Sequence, residues 1–262
     1  MTRTPADDAH PVLPGCEAWS SPAGGPHGFL VLHGFTGNPL SVRPLAEALA
    51  AAGFVVEMPR LPGHGTHPDD LALTTWDDWR AEAEAGLARL RARCPDGRVV
   101  VGGLSVGGAL ACALASAHPD LAGVVAVNSP MAVPEGLDDL IRQLVEEGVD
   151  TIDGVAGDIA DPEVGETHSY GRMPASALLS LLDAAEGLRA GLPAITVPVL
   201  VATSRQDHVI SPGDGDVLAA AVSGPVERLW LERSYHVATL DFDRDELVAA
   251  AVAFAEKVVA TA

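Results

Sequence analysis

Short apolar runs alternate along this chain with stretches in which apolar residues recur every three to four positions. The run 28–32 (GFLVL) reads as a strand, followed by a glycine-containing loop and a helix over 44–52. A second strand over 54–58 precedes a helix over 75–93 that opens at Thr75 as N-cap. Strand 98–102 leads into helix 107–117, and strands follow at 124–128, 197–203 and 226–231 before a closing helix at 246–260. Runs such as VVVGG and GVVAV are continuous and rich in β-branched residues rather than alternating, the pattern of strands buried on both faces. Strands that alternate with helices predict a mostly parallel sheet covered by helices on both faces, an α/β fold.

One stretch breaks the rhythm. Between 131 and 196 no strand is predicted, and two helical patterns (137–147 and 175–189) flank the Gly/Asp-rich segment DTIDGVAGDIADPEVGE. A stretch of roughly 65 residues is too long for an ordinary loop in a compact domain. It is expected to be an inserted helical cap over the carboxyl ends of the strands, where open α/β sheets bind ligands. The chain then divides into a core over 1–130, a cap over 131–196 and the rest of the core over 197–262.

Composition narrows the functional classes. The formal net charge is −20, from 36 acidic and 16 basic residues, which argues against a nucleic-acid partner and against anionic surfaces. Arg89, Arg91 and Arg93 lie on one amphipathic stretch and read as a solvated helix face. No apolar run reaches the ~18 residues of a membrane span, so no stable membrane anchoring is expected. The first fifteen residues have no apolar stretch of the kind a secretory leader needs. Cys16, Cys94 and Cys112 are scattered and odd in number, which fits reduced thiols and a cytoplasmic location.

The segment VVVGGLSVGGALACALA contains Gly103-Leu104-Ser105-Val106-Gly107, a G-x-S-x-G match with a strand before it and a helix after it. A serine on such a turn is lifted out of the sheet and set at a helix N-terminus, whose free N–H groups favour developing negative charge. Upstream, LVLHGFTG leaves the first strand as a His-Gly loop. The backbone N–H groups of Phe35 and Val106 are positioned by this reading to receive a tetrahedral oxygen, and His33 shapes the loop. An acyl-transfer serine also needs a base and an orienting acid, in the chain order Ser, Asp or Glu, His. His236, between the 226–231 strand and the last helix, emerges at the carboxyl edge of the sheet and is the expected general base. His118 ends the helix after the serine, where capping of carbonyls is expected. Asp207, just after strand 197–203, is the expected acid, with Asp241 the best of its rivals, ahead of Asp214 and Asp216. The H-x-x-H pair His64 and His67 lacks a strong accompanying ligand set, so neither a metal nor an organic cofactor is expected.

The blocks LVLHGFTGNP, LPGHGT, TTWDDW, GLSVGG, DHVI and SYHVATLD occur in order across nearly the whole sheet domain. In them the chain resembles the small bacterial carboxylesterases and monoacylglycerol lipases of the α/β-hydrolase superfamily. The resemblance implies an α/β-hydrolase fold with Ser105, Asp207 and His236 as triad and Phe35 and Val106 as oxyanion donors. It also implies a small cap lining the acyl and alcohol pockets. In the family the histidine block often reads Ser-Gly-His; here Tyr235 takes the glycine's place. The expected activity is hydrolysis of neutral short- to medium-chain esters or monoacylglycerols through an acyl-enzyme. Thioesterase, C–C hydrolase and acyltransferase chemistry on the same triad are the alternatives, followed by a non-catalytic ligand-binding protein.

Overall fold

The computed structural model describes residues 8–22, 24–155 and 157–261, so the beginning of the N-terminal stretch read for a leader lies outside the described residues. In chain order the elements are β1 (Trp19–Ser20), β2 (Gly28–Leu32), α1 (Arg43–Ala51), β3 (Val55–Met58), α2 (Pro68–Leu71), α3 (Trp76–Arg93), β4 (Val99–Leu104) and α4 (Val106–Ala117). They continue with β5 (Gly123–Val127), α5 (Leu137–Glu146), β6 (Thr151–Asp153), β7 (Arg172–Pro174), α6 (Ala175–Gly191), β8 (Val199–Ser204), α7 (Gly213–Ala221), β9 (Val226–Leu231) and α8 (Arg244–Ala260). The main sheet has seven strands in the order β1-β3-β2-β4-β5-β8-β9, and only the β1 edge is antiparallel.

The continuous apolar runs are explained by two cores, one on each side of this sheet. Phe29 and Val31 of β2 pack with Leu45 and Leu49 of α1 and with Leu247 and Phe254 of α8. Leu30 and Leu32 turn the other way, onto Leu87 and Leu90 of α3 and Leu110 and Leu114 of α4. The same alternation holds in β4, β5 and β8, so a polar residue has no solvated face to occupy there. Each buried Leu or Phe contributes about 1.5–3 kcal/mol of transfer free energy, which makes the central strands the stable frame from which loops project.

The α3 start is as expected: Thr75 donates its N–H and hydroxyl to the Asp78 carboxylate, at 2.9 and 2.8 Å. Three expectations are corrected, and one helix has no counterpart in the sequence pattern. The segment 131–196 does contain strands: β6 and β7 form a small antiparallel ribbon, each too short to show a period of two. Helix α7 was not foreseen, because GDGDVLAAA carries two glycines in its first turn. His118 pairs its ring with Glu84 of α3 at 2.8 Å instead of capping carbonyls. Arg89 and Arg93 are not simply solvated, because both reach the largely buried carboxylate of Glu57 on β3. Between β5 and β8 the chain thus forms α5, the β6–β7 ribbon and α6, with α5 packed on α6 and α6 on α3 and α4. Among the described residues no helix is long and apolar enough to cross a membrane.

Candidate active site

The sequence-predicted residues leave the carboxyl ends of neighbouring strands. β2 runs into His33, Gly34 and Phe35; β4 ends immediately before Ser105; β8 leads to Asp207 and β9 to His236. Ser105 sits at φ 56°, ψ −124°, a region costly for any residue with a Cβ. The turn is possible because its flanking glycines let three backbones meet. A Cβ at Gly103 would lie 2.4 Å from the Leu32 carbonyl oxygen, and one at Gly107 only 2.2 Å from the same atom. Ser105 N–H is held by the Val127 carbonyl of β5 at 2.7 Å, and its own carbonyl accepts Gly108 and Ala109 N–H of α4.

Val106 is the first residue of α4, so its N–H has no helical acceptor. The Phe35 loop lies directly on the serine: a Cβ at Gly34 would stand 3.2 Å from Ser105 Cβ. Among the described residues neither the Phe35 nor the Val106 N–H has an intramolecular partner. Buried rings behind the loop set its shape. His33 Nδ1 donates to the Gly34 carbonyl at 3.0 Å while its Nε2 accepts the Leu61 N–H at 3.0 Å. His64 packs edge-on against Phe35, Trp79 and His33. Burial, chiefly, and the neighbouring His64 hold His33 well below its ordinary pKa. Burial likewise takes His64 down to about 4, with Arg60 adding to the effect.

His236 Nδ1 lies 2.8 Å from Asp207 Oδ2, and both side chains are nearly sealed from solvent, at 10% and 2% exposure. Since a carboxylate only accepts, Nδ1–H donates and Nε2 is the free ring nitrogen. The second carboxylate oxygen accepts the Val209 and Ile210 N–H groups at 2.8 Å each, which fixes the Asp207 rotamer locally. No hydrogen bond joins Ser105 Oγ to His236 among the described residues, yet both line one cavity; such contacts commonly tighten only with substrate. The rival acids go elsewhere. Asp241 accepts the backbone N–H groups of Ala160, Asp161 and Tyr235, Asp214 accepts those of Met131 and Ala132, and Asp216 pairs with Arg228.

The cavity encloses about 640 Å³, within the usual range for small-molecule sites. Phe35, Val106 and Ala109 form its floor, and Leu178, Leu181, Leu182, Ala185 and Leu188 present one face of α6 to it. Its charged lining is limited to Asp153 and Asp214, with no Lys or Arg among the described residues. The H-x-x-H pair is split: His64 is fully buried, whereas His67 stacks on His10 beside Asp69 at the surface.

Two residues of the site region carry no local sequence signal. Asn128, at φ 47° after β5, donates to the His236 carbonyl at 2.8 Å and accepts Ser204 N–H at 2.7 Å, tying three strand ends together. Asp158 accepts the backbone N–H of both His208 and His236 from a segment far away in sequence. Only the periodicity of neighbouring elements is readable from such segments, not partners 50 and 78 positions distant.

The chain belongs to the alpha/beta hydrolase fold family, whose model matches residues 29–166. It is 39% identical over 257 residues to the thermostable monoacylglycerol lipase of Bacillus sp. (strain H-257), covering 95% of this chain and 98% of that protein. It is 29% identical over 223 residues to the carboxylesterase of Bacillus subtilis (strain 168), covering 85% of this chain and 89% of that protein. Among solved structures, one from work on LipS and LipT, two metagenome-derived lipolytic enzymes, superposes with a TM-score of 0.89 at 36% identity. That superposition covers 94% of this chain and all (100%) of the other.

Proposed function

We propose that this chain is a serine carboxylic-ester hydrolase acting on neutral short- to medium-chain esters or monoacylglycerols. In this reading Ser105 is the nucleophile, His236 the general base and Asp207 its orienting acid. The N–H groups of Phe35 and Val106 receive the oxyanion, and residues 131–196 act as a cap. The observation that carries it is the strained Ser105 turn opening, together with His236, into a mainly apolar cavity of about 640 Å³. The relatives named for monoacylglycerol lipase and carboxylesterase activity support the substrate class. The absence of Lys and Arg from the cavity lining among the described residues disfavours anionic acyl carriers, hence the thioesterase and acyltransferase alternatives. A cytoplasmic location is part of the proposal, supported by three buried, unpaired cysteines.

His236 Nε2 takes the Ser105 proton as Oγ attacks the acyl carbon. The imidazolium so formed is oriented and stabilised through its Nδ1–H bond to Asp207. The tetrahedral oxygen is met by N–H groups already held in place, donors worth about 2.7–4 kcal/mol each when deleted in comparable sites. The alcohol leaves with the proton from Nε2, and water activated by the same nitrogen releases the acid. The test is a chain-length series of p-nitrophenyl esters with 1- and 2-monoacylglycerols, comparing wild type with Ser105→Ala. The variant is expected to lose at least ~10³-fold in kcat. Retention of more than about a tenth of the activity refutes the assignment.

A further inference from the structure

One carboxylate spans the two loops that carry the acid and the base. Asp158 stands on the stretch between β6 and β7, and its side chain is 10% exposed. Its Oδ2 accepts the His236 N–H at 3.0 Å and the His208 N–H at 3.2 Å. Its Oδ1 lies 2.9 Å from His208 Nδ1, and its backbone carbonyl accepts the Val237 N–H at 3.0 Å. Burial by itself pushes the Asp158 carboxyl up. The hydrogen bonds from the His208 ring and from the His236 and His208 N–H groups outweigh burial and hold it below its ordinary value. The stretch presenting it is itself fixed, because Asp241 accepts the N–H groups of Ala160 and Asp161.

We propose that Asp158 is a positioning residue for the reaction assigned to Ser105, one that holds the His236 loop and the Asp207 loop in register. This rests on the function proposed above. The other ties to each loop come from elsewhere. On the base loop, Ser234 N–H goes to Asp243, Tyr235 N–H to Asp241 and the His236 carbonyl to Asn128. Asp158 therefore supplies the acceptor for His236's own N–H. On the acid loop, Arg205 N–H and the Gln206 side chain tie the residues before Asp207 to the end of β9. The residues after Asp207 close an internal turn on its carboxylate, which fixes the rotamer but not the distance to the other loop. The tie across the gap on that side is Asp158, reinforced by the His208 ring set edge-on against Tyr235 at 4.4 Å. Tyr235 thus has a use where a glycine would leave His208 without a wall. Without Asp158 both loops keep their folds, but the 2.8 Å contact between His236 and Asp207 loses its outer clamp.

The experiment is Asp158→Ala in the full chain, with kcat and KM on p-nitrophenyl butyrate and the second-order rate of inactivation by a serine-directed phosphonate. A misplacement on the order of 1 Å costs up to 10²-fold in rate, so kcat and the inactivation rate are expected to fall in parallel by about 10- to 100-fold. KM is expected to stay within about threefold, since the cavity lining is untouched. A kcat within about threefold of wild type, or a loss carried by KM alone, overturns the proposal and leaves the assignment of Ser105 standing. An active Ser105→Ala enzyme overturns that assignment, whatever Asp158 does. If Asp158→Ala does not fold, Asp158→Ser carries the measurement. Its shorter side chain cannot bring an oxygen to both loop N–H groups, so kcat is expected to fall at least about fivefold, and an unchanged kcat overturns the proposal.

Discussion

Acidification is expected to unfold this protein partly through a histidine that takes no part in the proposed chemistry. His64 is fully buried, donates from Nδ1 to the Pro62 carbonyl at 2.9 Å, and has no partner at Nε2 among the described residues. A proton on Nε2 would place an unpaired charge among the rings of Phe35, Trp79 and His33. Burial therefore lowers the folded pKa to about 4 from 6.5. The unfolded chain takes up the proton first, so the stability His64 contributes is intact above about 6.5 and falls as the pH drops toward 4. Below 4 both states are protonated and the loss levels off. At about 1.36 kcal/mol per pKa unit, going from about pH 7.5 to 4.5 costs on the order of 2–3 kcal/mol through this one group. His33 adds in the same direction, since its Nε2 would have to give up the Leu61 N–H.

The many carboxylates also titrate in acid, so the measurement must be differential. Urea unfolding of wild type and His64→Asn, whose amide can replace the Nδ1–H donor, is compared at the two pH values. The variant is expected to be less stable at neutral pH, from lost packing, but to lose on the order of 2–3 kcal/mol less than wild type on acidification. Parallel losses, within about 0.5 kcal/mol, would refute the claim that burial keeps His64 neutral.

Two further outcomes follow from the site's packing. Gly107→Ala puts a methyl group 2.2 Å from the Leu32 carbonyl and 2.7 Å from that of His33, both backbone atoms that cannot swing aside. It is expected to cost on the order of 2–3 kcal/mol, lower Tm by about 5 °C or more, and abolish most esterase activity; a wild-type Tm by calorimetry would contradict the close-contact account. Ala185→Trp fills part of the cavity on the α6 face. In a p-nitrophenyl ester series, kcat/KM for the decanoate is expected to drop about tenfold relative to the acetate, and an unchanged profile would mean that acyl chains lie elsewhere.

The Ser105 turn is legible in the sequence because its chemistry is local. A strand, two close-packed glycines around Ser105, and a helix are consecutive, and the backbone conformation needs no distant partner to be inferred. Asp207 and His236 are legible for a related reason, since each follows a strand, the buried β8 and the edge strand β9, whose carboxyl end the parallel topology brings to the same side of the sheet. The β6–β7 ribbon is not legible, because three-residue strands show no periodicity and are held by pairing with each other. Nor are the roles of Arg89 and Arg93, whose position on α3 indicates solvent but whose length lets them reach Glu57.

By itself, the sequence determined the doubly covered parallel sheet and the order of the strands along the chain, and it supplied the serine, acid and base of the proposed mechanism. All of these are encoded in runs of residues adjacent along the chain, where hydrophobic period and backbone sterics act. Tertiary structure alone decided what surrounds them. It set which of nine histidines are buried among rings, which face of α6 lines the cavity, and that Asp158 reaches two loops 50 and 78 residues away. Those outcomes depend on hydrogen bonds and desolvation between segments brought together by folding, and such contacts leave no periodic trace in either partner's own sequence.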